Sequence, residues 1–263
     1  MNRKEQIQFL NEILLSEMIE YKSWAAGFSK DEFSQRRLLR SLMNVRPPMP
    51  LLSDFLDVQD MLLSAEREEK GIVDVECLSR IAEDPRLILW RGDITRLRAD
   101  AIVNAGNSAL LGCFYPCHGC IDNAIHSAAG LQLRDECSHI MRLQGYPEPN
   151  GQAKLTKGYN LPAKYVLHTV GPIVQQRLTQ NDCLELASCY KSCLELATEH
   201  HLQTVAFCCI STGEFHFPNQ EAAEIAVETV TKFLQRKTSV RKVIFNVFKD
   251  IDEKIYQELL RTN

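Results

Sequence analysis

The alternation of strand-like and helix-like segments after residue 86 is the feature that most restricts the fold of this chain. Continuous apolar runs, which are typical of buried strands, are separated by segments whose apolar residues recur at helical spacing. The strand-like runs cover residues 87–90, 101–106, 165–171, 204–211 and 242–248. Because these runs are apolar on both faces, the strands are expected in a largely parallel sheet that helices cover on both sides. We therefore predict an α/β fold.

The residues before this region have a different character. They show apolar residues at helical spacing, proline and glycine breakers, and no strand candidate. One helix is predicted to end at the proline-rich segment 46–50, another to cover 53–70 and close at Gly71, and a short one to cover 74–83. We place the boundary near residue 80, with a small all-helical extension over 1–80 and an α/β domain over 81–263.

Composition restricts the function class. A net charge of −4 and an isoelectric point near 6.0 leave no excess of cations for phosphate backbones, so nucleic acid is not expected as a partner. The first 22 residues lack the apolar core of an export signal, and no segment approaches the ~18 apolar residues of a membrane helix. We expect a cytoplasmic protein whose ten cysteines are core thiols or metal ligands rather than disulfides. Five of them are expected to be packing residues: Cys183, Cys189, Cys193, Cys208 and Cys209.

Three polar loops follow the predicted strands, where α/β sheets bind ligands. The segment "RGDIT" places Asp93 after the first strand, where it could accept from an amine or hydroxyl, or serve as a turn or cap residue. The segment "NAGNSALL" places Asn104 and Asn107 where they could grip a sugar or simply form a turn. The segment "STGEFHFPN" could aim backbone amides at phosphate oxygens or be an ordinary loop.

Together, these loops make the chain resemble a macrodomain, a module that binds ADP-ribose. The resemblance covers roughly residues 85–260 and rests on the segments "GDIT", "DAIVNAGNSALLGC", "HTVGP" and "STGEF". It implies a three-layer α/β/α fold with a mixed sheet. It implies that Asp93 meets the adenine amine, supported by the amide of Ile94, and that Asn104 and Asn107 face the distal ribose. The residues implied for the diphosphate are Ser211, Thr212, Gly213, Glu214 and Phe215.

A cluster of metal-binding residue types follows the second loop. Cys113, Cys117, His118 and Cys120 lie within eight positions, and zinc takes thiolate sulfur and imidazole nitrogen readily. Four protein ligands would close the coordination shell of a structural zinc, whereas three would leave a position open. The segment resembles the zinc-containing macrodomains of microbial ADP-ribosyl hydrolases, whose Cys-x4-His-x-Cys pattern selects Cys113, His118 and Cys120. That group also carries a helical amino-terminal extension of this size.

The position of this loop favours an open, catalytic metal over a structural one. Because it begins soon after Asn107, a zinc ion should lie beside the distal ribose. We take Asn107 and Asp122 as the candidate catalytic residues; the other interpretation of Asp122 is a helix cap. We expect the backbone amide of Glu214 to contact the ligand and its carboxylate to face away.

The sequence thus predicts a zinc-dependent hydrolase that removes mono-ADP-ribose from modified protein side chains and releases ADP-ribose. The alternatives are a non-catalytic ADP-ribose reader with a structural zinc, and a protein–protein interaction module. The resemblance further suggests a sirtuin-like ADP-ribosyltransferase as the opposing enzyme and a lipoyl-carrier protein as a possible modified target.

Overall fold

The computed structural model describes residues 1–78 and 84–261. The predicted domain boundary near residue 80 lies outside the described residues. The described helices are α1 (Arg3–Glu17), α2 (Lys22–Ala25), α3 (Glu32–Val45), α4 (Ser53–Lys70), α5 (Ile121–Ala129), α6 (Leu131–Gln144), α7 (Gln180–Glu199), α8 (Asn219–Leu234) and α9 (Asp250–Arg261). The described strands are β1 (Val73–Asp74), β2 (Leu87–Arg91), β3 (Leu97–Arg98), β4 (Ala101–Ala105), β5 (Ala153–Lys157), β6 (Tyr165–Thr169), β7 (Thr204–Phe207) and β8 (Lys242–Val247).

Six of these strands form the central sheet in the order β2-β8-β7-β4-β6-β5. Neighbouring strands are parallel except β5 and β6, which are antiparallel. The predicted α/β fold with a mixed sheet is therefore confirmed. The five parallel strands are the five predicted apolar runs, although the fourth ends at Phe207, before the two cysteines expected in it. The edge strand β5 was not predicted, because three of its five residues are polar.

The register of the strands places helices on both faces of the sheet. Phe207 and Phe245 are paired in register, and their rings pack against Tyr190 of α7 and Tyr256 of α9. Asn104 and His168 are also paired in register, but on the opposite face, where they meet residues of α5 and α6. The result is the three-layer arrangement implied by the resemblance. All the parallel strands end at one edge, where the three polar loops lie.

The main core surrounds the central sheet. The amino-terminal helices bury a separate apolar cluster, which contains residues from α1, α3 and α4 and also Leu131 of α6. The short helix predicted over 74–83 is wrong for residues 74–78, the part of this segment that the structure describes. Val73–Asp74 pairs with Leu97–Arg98 as a small parallel ladder, which also contradicts the expectation that this block holds no strand. The Asp74 carboxylate then caps a single 3₁₀ turn by accepting from the amide of Glu76. Residues 79–83 lie outside the described part of the chain.

Buried polar contacts join the helical extension to the α/β unit. Gln59 of α4 accepts a hydrogen bond from the amide of Leu131 at 2.9 Å. The guanidinium of Arg134 is buried and donates to three carbonyl oxygens, those of Met43, Arg46 and Leu111, at 2.9, 2.5 and 2.7 Å. Two of these carbonyls belong to the end of α3 and the residue after it, and the third belongs to the loop after β4. Arg134 therefore ties the extension to the loop that carries the cysteine cluster.

None of the helices in the described ranges is long and apolar enough to span a membrane. Of the five cysteines expected to be packing residues, Cys189, Cys193 and Cys208 are buried in the main core, and Cys183 and Cys209 are partly buried against it.

We predict that Arg134→Leu lowers the free energy of unfolding by at least about 3 kcal/mol, because three buried carbonyl groups lose a charged donor. Urea denaturation followed by circular dichroism measures this difference. Arg142→Leu, on the exposed side of the same helix, is the matched control and should change stability by less than about 0.5 kcal/mol. Equal stability of the two variants would contradict the assigned role of Arg134.

Candidate active site

A buried polar group lies beneath the loop after β4. The side-chain amide of Asn104 donates to Oδ1 of Asp122 at 2.8 Å and lies 3.2 Å from Nδ1 of His168. Thr156 Oγ1 lies 2.8 Å from the other ring nitrogen of His168. A Cβ added to Gly106 would lie 3.5 Å from both Asn104 and Asp122, so the bare backbone of Gly106 covers this pair. Asn104 is thus buried and holds Asp122; that it also faces a ribose stays a prediction.

Asp122 lies in the first turn of α5 and is buried, with 5% of its surface exposed. Burial raises its pKa to about 6, although the hydrogen bond from Asn104 and the charge of Arg134 act in the opposite direction. His126, one turn further along, lies 3.5 Å from Asp122, and burial holds the pKa of His126 well below its usual range. The helix-cap interpretation of Asp122 is wrong, because the cap residue is Cys120, whose sulfur accepts from the amide of Asn123 at 3.4 Å.

Cys113, His118 and Cys120 converge in the loop between β4 and α5. Their candidate ligand atoms all lie within 4.8 Å of one another, and Cys113 Sγ is 3.6 Å from Nδ1 of His118. Two thiols and one imidazole form a donor set that zinc prefers, and this compact arrangement fits one zinc ion. Burial raises the pKa of the Cys120 thiol to about 12, so metal binding there must displace a proton.

Cys117 points away from this group. Its backbone has a φ of 52°, and its sulfur lies 3.2 Å from Oγ of Ser41 and 3.7 Å from the carbonyl oxygen of Arg37. Both partners belong to α3. The sequence left open whether Cys117 completes a four-ligand set, and in the structure its sulfur contacts the helical extension.

Helix α3 also holds the backbone of this loop. Asn44 Oδ1 accepts from the amide of Cys117 at 2.9 Å, and Asn44 Nδ2 donates to Oγ of Ser127 at 3.0 Å. Arg40 donates to Oδ1 of Asn123 at 2.7 Å and lies 3.5 Å from the carbonyl oxygen of His118. The extension therefore contacts Cys117 and residues that follow it, and no spacing rule in the sequence indicates these contacts.

Asn107 shapes the turn that leads into the cysteine loop. Its Oδ1 accepts from the amide of Ala109 at 3.0 Å, and its Nδ2 donates to the carbonyl oxygen of Gly112 at 3.2 Å. Gly112 has a φ of 81°, and a Cβ there would lie 2.9 Å from the ring of His126. Glycine is required at this position, and the half-buried Asn107 fixes the turn around it.

The loop after β7 exposes a row of unused backbone donors. The amides of Thr212, Gly213, Glu214 and Phe215 donate no hydrogen bond to any residue in the described part of the chain. Ser211 has a φ of 65°, and its buried hydroxyl has no partner among the described residues. Successive free amides in such a turn form a concave site for an anion.

Two of these loops meet at His118. The carboxylate of Glu214 lies 3.7 Å from Nε2 of His118, while Nδ1 of the same ring faces Cys113. The expectation that this carboxylate faces away from the ligand stays a prediction, because the structure shows only that it lies beside the cysteine loop. Gly171 of the segment "HTVGP" allows Ser211 to approach, since a Cβ on Gly171 would lie 2.0 Å from Oγ of Ser211.

Asp93 lies at the far end of the same edge. Its Oδ1 accepts from the amide and hydroxyl of Thr95 at 3.0 and 2.6 Å, which leaves Oδ2 without a partner in the described part of the chain. Ile94 is buried beside it. Sequence reasoning missed Phe248, which follows β8 directly, next to Gly92, and is 74% exposed. The signal available in the sequence was an aromatic residue at the very end of an apolar run. In the structure its exposed ring offers a flat apolar surface for a base.

Comparison with known proteins agrees with this geometry. The model of the Macro domain family matches residues 103–226. A protein-ADP-ribose hydrolase of Treponema medium is 50% identical over 262 residues, which cover 99% of this chain and 100% of that relative. A protein-ADP-ribose hydrolase of Staphylococcus aureus strain MSSA476 is 52% identical over 223 residues, 84% of this chain and 83% of the relative.

Solved structures agree as well. The crystal structure of a Trypanosoma brucei macrodomain in complex with ADP-ribose is 31% identical, with a TM-score of 0.65. The match covers 83% of this chain and 94% of that chain. With one relative matched along nearly its whole length, and with the sheet and loops arranged as described, this chain belongs to the macrodomain family.

Proposed function

We propose that this protein hydrolyses the bond between mono-ADP-ribose and a modified protein side chain, with a zinc ion at Cys113, His118 and Cys120. The observation that carries the proposal is the meeting of three features at one edge of the sheet. These are the free amides of residues 212–215, the buried carboxylate of Asp122, and a three-residue metal-binding group whose neighbour Cys117 is held elsewhere. The names of the relatives from Treponema and Staphylococcus support the same activity.

The binding roles follow from the order of the strands. Asp93 follows β2, Phe248 follows β8, the amide-rich loop follows β7, and Asn107 follows β4. An extended ligand lying along this edge meets, in turn, a carboxylate acceptor, an aromatic face, an anion-binding turn and a polar turn. The carboxylate and the aromatic face suit the adenine, the anion-binding turn suits the diphosphate, and the polar turn suits the distal ribose of ADP-ribose.

The reaction needs one water and one base. The oxygen of water bonds to the anomeric carbon of the distal ribose, the bond from that carbon to the protein side chain breaks, and the side chain leaves with the proton that the water gives up to the base. Asp122 is the carboxylate that can take the proton from water, because a pKa of about 6 leaves it mostly ionised at neutral pH. Asn104 fixes Oδ1 of Asp122 and so orients the carboxylate. When bound, a zinc ion supplies Lewis-acid polarisation of an oxygen near the bond that breaks.

Support for a catalytic rather than a structural metal comes from Cys117. A closed four-ligand site would need its sulfur, which instead lies 3.2 Å from Ser41 Oγ. Three protein ligands leave a position for substrate or water. A lipoyl-carrier target and a sirtuin-like transferase stay predictions from the resemblance.

We expect the purified protein to release ADP-ribose from a mono-ADP-ribosylated protein, and we expect prior removal of metal to reduce the rate at least about 100-fold. Chromatography with mass detection measures the released nucleotide, and elemental analysis measures the residual metal. Adding zinc back should restore the rate. Full activity in demonstrably metal-free protein would reject the zinc requirement, and the lack of any product from every linkage tested would reject the hydrolase.

We predict that two cysteine substitutions in the same loop behave oppositely. Cys113→Ser should reduce bound zinc to well below one per chain, because one of the three sulfur and nitrogen donors is lost. Cys117→Ser should keep about one zinc per chain, because its sulfur contacts Ser41 instead. Elemental analysis after exhaustive dialysis measures both variants. Loss of zinc from Cys117→Ser would favour the structural four-ligand site and the non-catalytic reader.

For Asp122→Asn we predict a kcat lower by at least about 100-fold with little change in the affinity for ADP-ribose. The amide keeps an oxygen for the hydrogen bond from Asn104, so the packing survives while the base is lost. Steady-state kinetics and calorimetric titration with ADP-ribose separate the two quantities. Asp57→Asn, at an exposed position of α4, is a charge-matched control. A large loss of affinity with an unchanged kcat would place Asp122 in binding rather than in catalysis.

A further inference from the structure

A cavity lies between the helical extension and the α/β unit. It has a volume of about 140 Å³, roughly ten times the space that one ordered water needs. Helices α3 and α4 form one wall, and residues 93–96, α5 and residues 160–161 form the other. Its lining shares residues with contacts described above: Asp93 and Thr95 at the expected adenine position, and Arg40 and Ser127 in the contacts between α3 and the segment 117–127. Its charged lining residues are Arg36, Arg40, Glu66, Arg67, Lys70, Asp93 and Arg96.

The cavity is strongly cationic in a protein whose net charge is −4. Its lining includes five cations and two carboxylates. One carboxylate, Glu66, is already paired with Arg36 at 2.6 Å, and the other, Asp93, accepts hydrogen bonds from Thr95. Because Arg67 pairs with Glu68 at 3.0 Å, the lining cations without an ion pair in the described part of the chain are Arg40, Lys70 and Arg96, and their mutual repulsion favours a bound anion.

Several donors in the cavity are unused. The ammonium of Lys70, at the end of α4, has no hydrogen bond or ion pair with residues 1–78 or 84–261. Arg96 uses only its Nε, which donates to the carbonyl oxygen of Gly71 at 2.8 Å, so both terminal nitrogens have no partner in those ranges. Arg40 uses Nε and Nη2 on Asn123. Forked guanidinium groups with an ammonium beside them are the donors that bind phosphate oxygens.

We propose that this cavity is a second anion site that binds a phosphate group, separate from the turn at residues 212–215. The phosphate lies between the two walls, with Lys70 and Arg40 on the side of α3 and α4 and Arg96 on the other side, away from the carboxylate of Asp93, which repels it. The site stands on its own geometry and does not depend on the proposed hydrolase activity.

Two sources carry the same chemistry. One is inorganic phosphate. The other is a phosphate on the adenosine end of an ADP-ribose-type ligand, because Asp93 belongs both to the wall of the cavity and to the expected adenine position. Only this second source rests on the proposed function.

Calorimetric titration of the full chain with inorganic phosphate, at constant ionic strength, tests the site. With the turn at residues 212–215 filled by saturating ADP-ribose, we expect one phosphate per chain, and an affinity about tenfold weaker in Lys70→Gln. Lys237→Gln, an equal charge change at an exposed position outside the cavity, should bind phosphate like the wild type. Lys70 is exposed at a helix end, so its replacement should leave the fold intact.

Three results would overturn the proposal: no detectable phosphate binding, equal binding by Lys70→Gln and the wild type, or complete displacement of phosphate by ADP-ribose. A comparison of ADP-ribose with ADP-ribose 2′-phosphate then identifies the source. Tighter binding of the 2′-phosphate that disappears in Lys70→Gln assigns the cavity to the ligand, and equal binding of the two nucleotides assigns it to free phosphate. Either outcome, together with phosphate binding that depends on Lys70, supports the site.

Discussion

The buried guanidinium of Arg134 joins three parts of the molecule that the active site needs in fixed relation. Its donors reach the end of α3 and the carbonyl oxygen of Leu111, just before the cysteine loop, and its charge lies over the ring of Phe114 at 4.4 Å. Because α3 is anchored in this way, Asn44 and Ser41 can hold Cys117 on the side of the extension. The direction of one thiol, and with it the number of protein ligands for a metal, depends on contacts with residues more than seventy positions earlier.

Residues of the α/β unit set the environment of Asp122. This carboxylate lies between the cysteine loop and the buried pair of Asn104 and His168, where burial raises its pKa and the amide of Asn104 fixes its orientation. A base that sits under the backbone of Gly106, beside a compact group of two thiols and an imidazole, needs no large side-chain movement to act. In the proposed mechanism the helical extension supports the site, since α3 contacts the loop that carries the metal-binding group.

Much of the fold could be predicted because the strands are buried on both faces and leave continuous apolar runs. The edge strand Ala153–Lys157 could not, since only one of its five residues is buried and its pattern resembles a polar loop. The segment 74–83 was predicted as a helix from local signals, but residues 73–74 gain a ladder with residues 97–98 that no local pattern reveals. Tertiary pairing outweighed propensity at that position.

Only part of the candidate site, like only part of the fold, could be predicted from the sequence. The loops with Asp93, Asn107 and residues 211–215 lie at one edge, as expected from the rule for the carboxyl ends of parallel strands. The burial of Asn104 against Asp122, eighteen residues away, and the contact of Cys117 with Ser41 required the folded structure. Phe248 was overlooked because its strand was read as a run of core residues, although it lies just beyond the last strand residue.

In the proposed site, the extension holds Cys117 away from the metal and leaves one coordination position open for chemistry. X-ray absorption at the zinc edge, measured on the full-length protein, counts the sulfur atoms around the ion directly. We expect two sulfur ligands and one imidazole nitrogen, together with a lighter atom that does not come from a cysteine. Three sulfur ligands and one nitrogen would contradict it and would make the metal structural.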